Sequence, residues 1–490
     1  MLTDSKKLLV ACNAQDDLAI LPEMANRHGL IAGATGTGKT ISVQTLAESF
    51  SSIGVPVFLA DVKGDLSGLA DAGVISGKTR ERVEEFQLLE KGYTSRSFPV
   101  QFWDVFGRQG TPLRTTISDV GPLLLARILG LNDVQEGVLH IVFRIADAKG
   151  YLLIDIKDLK AMLQHVSDAR EEYRGTYGQI APSSLGAIQR AIMRLEDEGG
   201  DVFFGEPALD ILDLIRTDEK GLGIINILDA ECLVNAPQLY SCVLLWLLSE
   251  LYERLPESGD ASSPRIVFFF DEAHLLFDIA SPILMSKVEQ VVRLIRSKGV
   301  GVYFASQNPV DIPSDILGQL GNRIQHALRS YSPKDRKAVK TAAETFRQNP
   351  AFSTAEVIAE MGIGEALVSF LDEQGRPDIV QRASIVPPQS KIGTIAAEVR
   401  QGMIGQSPMQ KKYGVSFDSF SAYESLSAAR ARAHDEPKAR KKIMKKNESG
   451  LNDFMGAVLK QTTRTVSATV GREIGKTLIR GLLGSLLGKK

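Results

Sequence analysis

Two textures alternate along this chain: short runs of apolar residues with no polar face, and longer stretches whose apolar positions recur every three or four residues. The first is the pattern of a strand buried on both faces of a parallel sheet, the second that of a helix covering one such face. Leu30-Ile31-Ala32 and Val55-Pro56-Val57-Phe58-Leu59-Ala60 read as buried strands, with a helix over 41–50 between them. Further strands are expected at 222–228, 266–270, 301–305 and 366–371, with an apolar helix over 239–255. Between 100 and 220 the chain turns helical: 120–129, 134–146, 156–169 and 183–198 carry a helical period, punctuated by Gly and Asp. In the last of these, Leu185, Ile188, Ile192 and Leu195 fall on one face.

This order of elements predicts an α/β fold with a mostly parallel sheet, built from two halves at 1–99 and 221–388 and interrupted by a helical insertion at 100–220. After Pro387-Pro388 the pattern weakens, so 389–450 reads as a polar, basic linker. Order returns in 451–490, where Ile474, Leu478, Leu482 and Leu486 recur at every fourth position of an amphipathic helix. Docking on the core or on a neighbouring subunit is the plain reading of that tail. Arg472, Lys476 and Arg480 beside the stripe make attachment to a membrane surface the alternative.

At 490 residues the chain exceeds one ordinary domain and can bury a large core. A net charge of −2 removes any argument for nucleic-acid binding from the field of the whole protein. The balance is uneven, because 430–446 forms a basic block that reads first as a solvated linker. Cys12, Cys232 and Cys242 show no metal-ligand spacing and make an odd count, which points to a reducing, cytoplasmic compartment. The first residues hold too short an apolar run for a signal peptide, and no stretch is long enough for a membrane span.

The chemistry begins directly after the first buried strand. Gly33-Ala34-Thr35-Gly36-Thr37-Gly38-Lys39-Thr40 is a complete phosphate-binding loop, G-x-x-x-x-G-K-[ST], lying between a strand and a helix. Its backbone N–H groups, together with Ile41 in the first turn, would wrap the phosphates of ATP. Lys39 would bring a cation to the terminal phosphates and Thr40 a hydroxyl ligand to Mg²⁺. Phe268-Phe269-Phe270-Asp271-Glu272 then delivers two carboxylates at the end of an apolar strand, the end at which ligands bind in a parallel sheet. Asp271 is expected to hold Mg²⁺, and Glu272 to polarise the attacking water. Gln307, ending the next strand, would orient that water beside the γ-phosphate. Asp61, Lys63 and Asp65 follow another strand at the same edge, where they either line the site or make an ordinary turn.

These residues carry a resemblance. The phosphate loop, Asp61-Val62-Lys63-Gly64-Asp65, Phe270-Asp271-Glu272-Ala273-His274, Arg293-x-x-Arg296 and Ser306-Gln307 occur in the order seen in the HerA/FtsK group of P-loop ATPases. More closely, 24–388 resembles bacterial HerA-like ATPases, down to phrases such as Gly318-Gln319-Leu320-Gly321-Asn322-Arg323. The resemblance implies a RecA-like (ASCE) core, ATP hydrolysis with Mg²⁺, and assembly into a ring, commonly hexameric, with relatives pumping DNA. Two departures stand out. Only 32 residues precede Gly33, too few for the β-barrel that precedes this loop in HerA. Lys63 and Asp65 also stand where HerA-type sequences usually have His and Glu.

The expected function is a ring-forming DNA translocase or helicase-type ATPase. The alternative is a nucleotide-controlled assembly or signalling ATPase acting on a protein partner, through the helical insertion or the C-terminal tail. Arg293 and Arg296 precede the strand that ends at Gln307. Such a strand spans about 20 Å, so they should lie too far to touch their own subunit's phosphates, while still able to reach a neighbour's. Arg296 is the expected catalytic finger, Arg293 its support and Arg329 the reserve; a surface ion pair with Glu289 is the plain alternative.

Overall fold

The computed structural model describes residues 1–259, 261–277, 282–329 and 332–431. Among them one sheet holds β1 (Leu8–Cys12), β2 (Asp17–Ile20), β3 (Gly29–Ala32), β4 (Val57–Asp61), β5 (Val100–Asp104), β6 (Thr111–Pro112), β7 (Ile225–Asp229), β8 (Ile266–Phe270), β9 (Val300–Ser306), β10 (Asn322–His326), β11 (Glu365–Ser369) and β12 (Gln381–Ile385). The spatial order is β2-β1-β12-β11-β10-β3-β9-β8-β4-β7-β5-β6. From β10 to β6 all neighbours are parallel, whereas β11, β12, β1 and β2 extend that block as antiparallel strands. The carboxyl ends of β3, β9, β8, β4, β7 and β5 therefore lie along one edge.

Helices cover both faces, which is why the strands are apolar throughout. Phe58, Phe268 and Phe270 pack toward the insertion and toward helix Pro237–Arg254. Leu59, Val267 and Phe269 face the other way, toward Leu46 and Phe50 of helix Lys39–Ser52. Burying each such side chain stabilises the fold by about 2 kcal/mol. Among the described residues no helix is long and apolar enough to cross a membrane.

The insertion helices form at Ile117–Ile128, Asp133–Lys149, Ile156–Asp168 and Pro182–Asp197. Asn132 and Asp155 start two of them with capping boxes, each side chain accepting the N–H of the third helical residue. Leu185, Ile188, Ile192 and Leu195 are all buried, as their spacing requires.

Two organisational expectations are corrected. The helical segment does not start at 100, because Val100–Asp104 is a strand of the main sheet, paired in parallel with β7. Its aromatic residues serve that sheet: Trp103 is fully buried and its Nε1–H donates to Asn226 Oδ1 at 3.0 Å. Nor is the described part of the expected polar, basic linker, 389–431, a mere connector. The N–H groups of Gln389 and Ser390 donate to the buried Glu48 carboxylate at 2.8 and 2.9 Å. Helices Ala397–Gln406 and Pro408–Tyr413 follow, with Ile404, Met409 and Tyr413 buried. These segments fill gaps with side chain to backbone hydrogen bonds and scattered aromatics, which leave no period to read. The amphipathic tail at 451–490 lies outside the described residues, as does the basic block from 432 onward.

Candidate functional site

The loop after β3 is held from below. Gly33 N–H donates to Ser306 O at 3.2 Å and Ala34 N–H to Ala327 O at 2.9 Å, tying the loop to the strands on either side. A Cβ at Gly33 would lie 2.5 Å from His326 Cβ, and Gly38 has φ of 120°, so both positions need glycine. His326, at the end of β10, is the prop. Its Nδ1–H donates to Glu365 O at 2.9 Å and its Nε2 accepts from Ser42 Oγ at 2.8 Å, an assignment fixed by the carbonyl, which can only accept. Burial lowers its pKa to about 4, so the prop is neutral.

Lys39, 5% exposed, folds back over the loop, its Nζ 2.6 Å from Gly33 O and 3.3 Å from Ala34 O. Burial, and next the nearby Lys63 ammonium, hold its pKa below the usual lysine range. A lysine held on two neutral carbonyls beside another cation is poised for an anion. The helix starting at Lys39 turns its first N–H groups to the same point.

Opposite the loop stand the carboxylates. Glu272 is 5% exposed and is held at φ of +47°, a left-handed backbone that costs a non-glycine residue about 1 kcal/mol or more. Asp271 Oδ1 accepts the Glu272 N–H at 2.9 Å, and Ala273 N–H donates to Ala305 O at 2.9 Å, which fixes the turn. Lys63 Nζ lies 2.7 Å from Glu272 Oε1, Gln307 Nε2 is 3.2 Å from each carboxylate oxygen, and His274 Nδ1 is 3.4 Å from Oε2. Burial works to raise the Glu272 pKa, but Lys63, Gln307 and Lys39 together outweigh it and leave it low. Asp271 goes the other way. Burial, reinforced by Glu272 and Asp65, pushes it up to about 6 against the pull of Lys63.

Gln307 closes the arrangement by accepting at Oε1 from Thr35 Oγ1 at 3.2 Å while donating to Glu272. The tip of the loop and the strand-end carboxylate are thereby joined through one amide. Asp61 is a turn residue in part, accepting from Gly64 N at 2.8 Å and Leu66 N at 3.0 Å. Lys63 and Asp65, projecting from the turn that Asp61 holds, face the site. The Thr40 hydroxyl helps to hold the Asp65 carboxylate ionised against the upward push of burial, and Asp65 Oδ1 is buried without a hydrogen-bond partner.

That orphaned oxygen bears on Mg²⁺. Thr40, Asp65 and Asp271 offer a hydroxyl and carboxylates, the hard oxygen donors that Mg²⁺ takes, and Asp65 and Asp271 repel one another. Among the described residues no three His, Cys, Asp or Glu side chains already form a metal cage. Mg²⁺ needs none, since it takes one or two carboxylates and completes its shell with water and phosphate. The residues fit the ion.

The structure thus brings together Thr35, Lys39, Thr40, Asp271, Glu272 and Gln307. It does not bring Arg293 or Arg296 to them. Arg293 pairs with Glu289 at 2.5 Å on the helix before β9. Arg296 opens the turn Arg296–Lys298 at the amino end of β9, where its charge acts on buried His28. Arg329 is exposed two residues beyond Ala327, whose carbonyl supports the loop. Sequence reasoning missed His326 and Ser42. The only signal was a histidine one position past Gln325, the residue in register with Ala32 at the end of β3, within a strand too rich in Asn and Gln to recognise.

Solved structures share this fold. The coupling protein TrwB of bacterial conjugation has a similar fold: its unbound form gives a TM-score of 0.54 at 15% identity, covering 80% of this chain and 92% of that one. A TrwB structure in complex with ADP and Mg²⁺ gives 0.53 at 14% identity, covering 81% and 90%. In sequence the chain is similar to the DNA double-strand break repair helicase HerA of Sulfolobus acidocaldarius, 22% identical over 371 residues. That match takes in 74% of this chain but 65% of the helicase, so the chain spans less than two thirds of its curated relative. The model of the helicase HerA-like C-terminal family matches residues 6–490. With its phosphate loop propped on β10 and an Asp-Glu pair at the end of β8, the chain belongs to the helicase HerA-like C-terminal family.

Proposed function

We propose that this chain hydrolyses ATP with Mg²⁺ and works as a ring-forming motor of the translocase or helicase type on DNA. The observation that carries the hydrolase reading is the Gln307 amide, which links Thr35 of the loop to Glu272. A protein that only held nucleotide would need the loop but not a buried carboxylate aimed across at it. Backbone N–H groups of the loop beyond Ala34 and of the first helical turn to Ile41 bind the phosphates, the Gly33 and Ala34 N–H groups being held by Ser306 O and Ala327 O, and Lys39 trades its two carbonyls for phosphate oxygens. Glu272 takes a proton from water as the water oxygen bonds to the γ-phosphorus and the bond to the β-γ bridging oxygen breaks. Gln307 orients that water. Mg²⁺, held by Thr40 and Asp271, would neutralise charge on the phosphates.

DNA as the polymer rests on the family and on the name of the helicase relative. Hydrolysis should therefore rise on adding DNA, with an affinity that falls steeply with salt and shows little base preference. Steady-state ATPase assays with single- and double-stranded DNA, combined with mass determination in ATP, test both halves. Hydrolysis indifferent to every nucleic acid at low salt would move the function to a protein partner, and a monomer hydrolysing at the assembled rate would remove the ring.

We assign Arg296 the role of a finger given to the neighbouring subunit, with Arg293 in support, because both lie at the end of β9 away from Gln307. Arg296→Ala and Glu272→Gln subunits, each inactive alone, should regain part of the hydrolysis when mixed, from an arginine effect of order 10³-fold. Full activity of Arg296→Ala alone contradicts it.

A further inference from the structure

Lys63 has two partners within its reach, the Glu272 carboxylate it now holds and an anion at the phosphate loop. Its backbone is fixed, because Asp61 ties the N–H groups of Gly64 and Leu66 and Gly64 turns at φ of 72°. Its tip is not fixed. The side chain is 36% exposed on a four-carbon stem, and its ammonium sits 2.7 Å from Glu272, whose own side chain is 6% exposed. Lys63, in the turn after β4, also acts by its charge on Lys39 at the start of the helix after the phosphate loop.

The Glu272 carboxylate is already engaged by an ammonium, an amide and an imidazole, which leaves little of it open to a water. For Glu272 to act as a base, one of them must let go. Gln307 is also held by Thr35, and His274 follows Glu272 on the same turn. Lys63 comes from the turn after β4 and has a flexible stem. A terminal phosphate, bound where Lys39 points, offers it more negative charge than one carboxylate does.

Resting on the hydrolase reading above, we propose that Lys63 is a positioning residue that exchanges partners: it holds Glu272 until a γ-phosphate draws its ammonium away, so that the base is freed only by a nucleoside triphosphate. ADP, lacking that phosphate, leaves the clamp closed.

The test is a double-mutant cycle on the full chain, titrating ADP and the non-hydrolysable analogue ADPNP with Mg²⁺ into wild type, Lys63→Ala, Glu272→Gln and the double variant. Lys63→Ala should weaken ADPNP about tenfold and leave ADP within about twofold. Glu272→Gln should tighten ADPNP several-fold, since Lys63 no longer has to leave a carboxylate, and the gain should vanish in the double variant. Lys63→Arg should restore the preference for ADPNP. Equal weakening of both nucleotides by Lys63→Ala overturns the proposal, as does a gain from Glu272→Gln that survives without Lys63, which would then reflect charge removal alone. Failure of the wild-type chain to bind either nucleotide would overturn the hydrolase reading itself, a separate outcome.

Discussion

Four neighbouring strands of the sheet bring an aspartate to the same edge: β4 and β7 end at Asp61 and Asp229, β5 ends at Asp104, and β8 is followed by Asp271. Asp61, Asp229 and Asp104 lie side by side in register. Their surroundings differ sharply. At the β5–β7 end, Asp104 accepts the N–H groups of Phe106, Arg108 and Gln109 at 2.8, 2.7 and 2.8 Å. Asp229 pairs at 2.9 Å with Arg400, whose guanidinium lies 4.7 Å over the Phe102 ring. At the β8–β9 end, Glu272 is held by the tips of Lys63, Gln307 and His274. Backbone amides and a stacked guanidinium cannot be traded during a reaction; side-chain tips can. Glu272 can therefore change partners during a reaction, whereas Asp104 and Asp229 are held in place.

The strongest way to break this contrast is to neutralise one aspartate at each end. Asp271→Asn should lower Mg²⁺-dependent turnover by about 10²-fold or more. Asp229→Asn should leave the turnover of folded protein within about twofold. Similar losses from both, in phosphate-release assays at saturating ATP, would erase the distinction.

Stability should reverse the order. The Arg400 and Asp229 side chains are 12% and 8% exposed, so Asp229→Ala leaves a buried charge unpaired and should cost about 3 kcal/mol. Lys63→Ala, at the more exposed pair, should cost less than about 1 kcal/mol. Denaturant midpoints with unchanged slopes measure both.

The contrast also explains what the sequence could tell. Strands β3, β4, β8 and β9 were legible because burial on both faces leaves unbroken apolar runs, and the phosphate loop because its backbone geometry demands glycine at fixed spacing. β10 and β12 were hidden, since Asn322, Gln325 and Arg382 interrupt them. Asp271 and Glu272 stood out only beside the loop; alone, Phe270-Asp271 looks like Leu228-Asp229. What separates the two is the partner brought from far along the chain, Arg400 in one case and Lys63 in the other. Spacing along the sequence does not report such pairs.

A smaller effect sharpens the picture of the support under the loop. His326 and His28 are buried with pKa values lowered to about 4, against 6.5 when exposed. Between those values the unfolded chain binds more protons, so each histidine's contribution is complete above pH 6.5 and is lost as pH falls toward 4. The slope is about 1 kcal/mol per pH unit for each. Comparing unfolding midpoints of wild type and His326→Gln across pH 4–7 should show a shallower dependence in the variant. Parallel curves would contradict a neutral, buried prop.

The central claim is that Glu272 is the reacting base of an ATP hydrolase, and one paired measurement tests it most directly: nucleotide binding and phosphate release on the same preparations of wild type, Lys39→Ala and Glu272→Gln. Lys39→Ala should bind ATP weakly, whereas Glu272→Gln should bind it at least as well as wild type and release phosphate about 10²-fold or more slowly, trapping ATP. Phosphate release by Glu272→Gln at the wild-type rate would contradict the account.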